Sequence, residues 1–141
     1  MKTRIKWAQD RTFLGESGSG HSVVMDGAPE SGGRNLGIRP TEMVLLGLGG
    51  CTAFDVVEIL EKSRQPIDDC VVEVTGERAD ALPKVFTRIE INYLVSGRGL
   101  SRAKVERAVN LSADKYCSIS LMLSKTARID RKIEIVDTSP G

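Results

Sequence analysis

Histidine is nearly absent from this chain. His21 stands alone, which excludes a histidine-rich metal centre and leaves any Cys-His nucleophile pair a single possible base. It lies in Gly20-His21-Ser22-Val23-Val24-Met25, where it is expected to be a strand-end surface residue, and no spacing pairs it with a nucleophile as a cysteine hydrolase requires. An excess of one charge is also missing. Lys+Arg number 20 against Asp+Glu 19, a net charge of +1, so no basic face for nucleic acid is predicted. The longest uncharged apolar stretch, Met43 to Phe54, falls short of the roughly 20 residues that cross a bilayer, so it is expected to be a buried helix and no membrane contact is predicted. Met1 to Trp7 alternates charge and bulk without an apolar run, so no secretory leader is read and a cytoplasmic location is expected. Cysteine is sparse: three thiols in a reducing compartment are not a disulfide framework, and at most one pair can form within the chain.

What is present fits one domain of 141 residues. Strands are predicted near Thr3 to Gln9, Thr12 to Ser17 and Ser22 to Asp26, followed by an exposed loop from Gly27 to Gly37. Arg39-Pro40-Thr41-Glu42 starts a long helix, with proline in the first turn and an acid near the positive end of the dipole; it stops near Arg64-Gln65-Pro66. At 1.5 Å per residue such a helix is roughly 37 Å long, more than one small domain can cover, which calls for a partner subunit. Two strands follow, Cys70 to Glu77 and Val85 to Val95, the second with Val85, Thr87, Ile89, Ile91, Tyr93 and Val95 on one face. Ser101 caps a helix whose Val105, Ala108, Val109, Ser112 and Tyr116 recur at helical spacing. A short third helix begins after Cys117, and a last strand alternates Ile129, Arg131, Ile133 and Ile135 with Asp130, Lys132 and Glu134. Strands and helices are segregated, so the predicted class is α+β: a small N-terminal antiparallel sheet, a long central helix, and a second antiparallel sheet with two further helices.

The long helix contains Gly47-Leu48-Gly49-Gly50 directly before Cys51. Glycine inside a helix costs about 1 kcal/mol relative to alanine, so three of them need an offsetting reason. Two reasons are open: close approach of another element, or a helix start at Gly50 that sets Cys51 on free backbone N–H groups, where a thiolate is favoured. Cys70 alternates with Val72 and Val74 and is expected to pack as a small hydrophobe. Cys51 and Cys117 lie on apolar helices beside Thr52, Ser118 and Ser120; they are either core cysteines or a reactive pair, and their helices are expected to bring them together.

The run Arg39-Pro40-Thr41-Glu42-Met43-Val44-Leu45-Leu46-Gly47-Leu48-Gly49-Gly50-Cys51, followed by Lys115-Tyr116-Cys117-Ser118-Ile119-Ser120, resembles the two cysteine motifs of the OsmC/Ohr family, the osmotically inducible and organic hydroperoxide resistance proteins. The stretch Gly49-Gly50-Cys51-Thr52-Ala53-Phe54-Asp55-Val56-Val57 is most similar to the YhfA-like branch. The resemblance implies an intertwined homodimer without cofactor or metal, acting on an organic hydroperoxide or other electrophile and recharged by a dithiol reductant. It implies a peroxidatic Cys51, a resolving Cys117, and an arginine with a carboxylate beside the thiolate. For these last roles Arg11 and Glu42 are the candidates, with Arg39 an alternative arginine. The chain departs from the pattern where Thr41 occupies the glutamate position, ten residues before Cys51, and where Ser118 replaces a proline. Asp55, one helical turn beyond Cys51, disfavours a thiolate unless it is paired. The competing expectation is a non-enzymatic dimer of this fold that binds a small apolar or electrophilic ligand, with its cysteines in packing roles.

Overall fold

The computed structural model describes residues 1–141 and divides into two compact units, Met1–Val44 and Leu45–Gly141. The first unit is an antiparallel meander of β1 (Thr3–Gln9), β2 (Thr12–Ser17) and β3 (Ser22–Met25). Asp26 organises the loop that follows. Its buried carboxylate accepts a hydrogen bond from the Thr12 hydroxyl at 3.0 Å and from the backbone N–H of Gly27, Arg34 and Leu36 at 2.7, 3.4 and 3.1 Å. Burial alone would raise the Asp26 pKa, yet these four donors hold it below the ordinary carboxylate value.

Helix α1 (Pro40–Lys62) starts in the first unit and runs on through the second. Its start satisfies one orphan donor locally, because Glu42 Oε1 accepts from the Arg39 N–H at 2.7 Å. The helix is continuous across all three glycines, which overturns a start at Gly50. Close approach accounts for Gly49, where a Cβ would lie 3.1 Å from Val74 Cγ2. It does not account for Gly50, which faces open space. By length and composition α1 could cross a membrane, but Leu48, Thr52, Val56 and Leu60 are buried in the core of the second unit.

In that unit β4 (Ile67–Arg78) pairs antiparallel with β5 (Phe86–Gly97), and β5 pairs parallel with β6 (Arg128–Asp137). The second sheet is therefore mixed, not antiparallel as predicted. The reason is the connection: α2 (Arg102–Leu111), a π-helical turn (Ser112–Tyr116) and α3 (Ser118–Leu123) carry the chain back along the sheet before β6 begins. Ile89, Ile91, Tyr93 and Val95 are buried as predicted, but Val85 and Thr87 are not. The register shifts between Glu77 and Arg78, so that Arg78 pairs with Phe86, and it is Phe86 that joins the core, over Gly76. Ser101 caps α2 as predicted, its hydroxyl accepting from the Lys104 N–H at 3.3 Å, and Val105, Ala108 and Val109 face inward. Tyr116 does not follow them. The π turn changes the helical phase after Ser112 and leaves Tyr116 51% exposed.

Candidate functional site

The π turn also delivers Cys117 to α1. Ser112 at its start is fully buried, and Cys117 at its end adopts extended backbone and becomes the N-cap of α3. As a cap its sulfur accepts the Ser120 N–H at 3.4 Å. Cys51 and Asp55, one turn apart on α1, face the same place. The Sγ atoms of Cys51 and Cys117 and a carboxylate oxygen of Asp55 all lie within 4.8 Å of one another, and both thiols are free. The approach of the two cysteines expected from their helices is thus present. Cys117 is fully buried and Cys51 partly exposed. Burial first, then the hydrogen bond with Cys51, push the Cys117 thiol up to about 11, with a smaller contribution from the Asp55 carboxylate and against a lowering pull from the Ser120 N–H.

Behind the thiols runs a line of buried hydroxyls. Ser112 Oγ donates to Asp55 Oδ2 at 2.9 Å, Thr52 Oγ1 lies 2.8 Å from Ser112 Oγ, and Tyr93 Oη lies 2.7 Å from Thr52 Oγ1. A hydroxyl has one proton to give. Since Ser112 gives its proton to Asp55, Thr52 must donate to Ser112 and Tyr93 to Thr52, so the line has one direction and ends on the carboxylate. Burial raises the Tyr93 phenol, offset in part by its bond with Thr52 and the positive charge of Arg131. Arg131, on the inner face of β6, donates to Ser120 Oγ at 2.8 Å, while its Nε is buried without a partner.

Thr52 and Ser120 were legible only as polar neighbours of the two cysteines, and sequence reasoning did not place Ser112, Tyr93 or Arg131 beside them. Of these three, Arg131 carried a signal, a cation in register with Ile129, Ile133 and Ile135 on an apolar face. Asp55 was legible from its spacing. Of the remaining predicted residues, Arg11 and Glu42 belong to the first unit, where the Arg11 guanidinium donates to the Asp10 carbonyl and Glu42 engages the Arg39 N–H. Cys70 packs on the inner face of β4, its thiol pushed up by burial and then by Asp69. His21 is exposed at the start of β3. Asp55 also stands in the wall of a cleft of about 570 Å³, with Glu58, Lys62, Arg107, Leu111 and Tyr116.

Residues 32–132 match the family described as OsmC-like protein. The chain is 50% identical over 136 residues to Protein YhfA of Escherichia coli strain K12, spanning 96% of this chain and 98% of the relative. Among solved structures, a hypothetical protein from Aquifex aeolicus VF5 superposes with a TM-score of 0.86 at 28% identity, covering 98% of this chain and 97% of its own. An organic hydroperoxide resistance protein OsmC from Legionella pneumophila superposes with a TM-score of 0.69 at 15% identity, over 95% and 97% of the two chains, a likeness of fold.

Proposed function

Because the chain belongs to the OsmC-like family, we propose that it is a thiol-dependent hydroperoxide reductase in oxidative-stress defence, with Cys51 peroxidatic and Cys117 resolving. The observation that carries this reading is the meeting of the two free sulfurs with Asp55 inside 4.8 Å. The roles divide by access and protonation. Cys117 is fully buried, and a thiol held up to about 11 is almost wholly protonated at neutral pH. Cys51 is the sulfur a peroxide can reach.

As a thiolate, Cys51 attacks one peroxide oxygen. The S–O bond forms, the O–O bond breaks, and the alkoxide leaves as the alcohol after taking a proton, with Cys51 oxidised to a sulfenic acid. Cys117 then attacks the Cys51 sulfur, the hydroxyl leaves as water with the thiol proton, and a disulfide remains. An external dithiol returns both sulfurs to thiols by exchange. For the positive charge that favours the attacking thiolate, Arg11 is the candidate and Arg39 the alternative. Glu42 is assigned to the start of α1, in keeping with its contact with Arg39.

The test is mass spectrometry of the reduced protein after one equivalent of cumene hydroperoxide. A Cys51–Cys117 disulfide is expected, with Cys70 untouched. Cys117→Ser should stop at a Cys51 sulfenic acid that dimedone traps, Cys51→Ser should lose peroxide consumption, and Arg11→Ala should slow it at least tenfold. Both thiols left free, or a Cys51→Ser variant as fast as the parent, overturns the proposal. The burial of Cys117 within the apolar core also suits the non-enzymatic ligand binder. That reading expects the Cys51→Ser variant to consume peroxide no more slowly than the parent.

A further inference from the structure

We infer that Cys51, Cys117 and Asp55 form a binding site for one thiophilic divalent cation, such as Zn²⁺ or Cd²⁺, in the reduced protein. The donor set has the right chemistry, because thiolate sulfur selects soft and borderline ions and a single carboxylate completes many zinc sites. It also has nearly the right geometry. Zinc–sulfur and zinc–oxygen bonds of about 2.3 and 2.1 Å place tetrahedral ligands roughly 3.6 to 3.8 Å apart. The three donor atoms already lie within 4.8 Å of one another, so closing on an ion needs displacements of an ångström or less.

Three further observations favour an ion over a chance cluster. The ligands come from two elements with fixed frames: Cys51 and Asp55 share a face of a continuous helix, and Cys117 is locked as the cap of α3. Outer contacts already orient two of them, Ser112 Oγ on Asp55 Oδ2 at 2.9 Å and the Ser120 N–H on Cys117 Sγ at 3.4 Å, which is how metal sites hold their ligands. Finally, Asp55 makes no ion pair, so the carboxylate beside two potential thiolates has no side-chain cation. Asp55 also stands in the wall of a cleft of about 570 Å³, Cys51 is partly exposed, and three protein ligands leave a fourth position for water or an exogenous thiol. Binding releases the thiol protons and occupies the sulfurs the proposed peroxide chemistry needs, while a disulfide would remove two of the three ligands.

Titration of the fully reduced, metal-free chain with Cd²⁺, without peroxide, is expected to give one ion per chain and a sulfur-to-cadmium charge-transfer band of two-thiolate intensity. Cys51→Ser should lower affinity at least a hundredfold and Asp55→Asn about tenfold, with Cys70→Ser unchanged. Oxidising the pair with diamide before titration should abolish binding. Cys117 is buried, so if Cys117→Ser does not fold, the cadmium-113 shift of the parent protein reports directly whether two sulfurs are bound. No binding by the reduced parent at micromolar Cd²⁺, or binding that survives Cys51→Ser, overturns the site. Peroxide consumption is measured separately in chelator, so either proposal can fail while the other stands.

Discussion

Burial first, and the bond with Cys51 second, hold Cys117 as a neutral thiol up to about pH 11. The native state therefore keeps this proton more tightly than the unfolded chain does, where a thiol titrates near 8.5. The resulting stability is fully present below the unfolded value and is lost as pH rises from about 8.5 to about 11. Urea midpoints measured across that window should fall for the parent more steeply than for Cys117→Ser, whose hydroxyl does not titrate; parallel curves would contradict the shift. Thr52 makes a second prediction. Its hydroxyl is 1% exposed and joins Tyr93 to Ser112, so Thr52→Val keeps the shape, strands the buried Tyr93 hydroxyl and takes a donor from Ser112, which keeps its bond to Asp55. A loss of about 1–3 kcal/mol in urea unfolding is expected. This line was not legible beforehand because Thr52, Tyr93 and Ser112 are ordinary residues on their own elements, and only the tertiary fold joins positions 41 and 60 apart. Asp55 could be read because its geometry is local to one helix.

At the scale of the element, the glycines of α1 separate into three environments. A Cβ at Gly47 would meet Ile119 Cδ1 at an ordinary 3.6 Å, one at Gly49 would crowd Val74 Cγ2 at 3.1 Å, and one at Gly50 would meet nothing within 4 Å. Within an isolated chain, Gly50→Ala should then recover helix propensity of about 1 kcal/mol, whereas Gly49→Ala should lose part of that gain to contact with β4. Thermal unfolding of the two variants in the single-chain Phe54→Glu background checks the order, and a Gly50→Ala destabilised more than Gly49→Ala there would contradict it. The sequence predicted the helix and most strand positions because their patterns are local. It missed the parallel pairing of β5 with β6 and the shift that turns Phe86 inward in place of Val85, since both are set by partners far along the chain. The same holds for Tyr116, whose helical spacing is broken by an insertion that no single residue announces.

For the whole molecule the open question is what covers α1. Of its most apolar stretch 28% is buried within the chain, and Leu46 and Phe54 remain 61% and 70% exposed. Fully covering such side chains is worth about 1.5–3 kcal/mol each, so a helix left this bare is costly in water. We propose a second copy as the cover, as the family resemblance implies, with Gly50 giving two α1 helices room to approach. Light scattering at micromolar concentration is then expected to report about twice the chain mass of 15.3 kDa. Phe54→Glu places a charge on the exposed face without touching the core, and it should shift the protein to the single-chain mass while far-ultraviolet circular dichroism stays native. Gly50→Ala sharpens the test, since the substitution that helps an isolated helix should weaken a close helix crossing, raising the dimer dissociation constant. A parent protein that stays at the single-chain mass removes the dimer and, with it, this explanation for the one glycine of α1 that nothing in its own chain approaches.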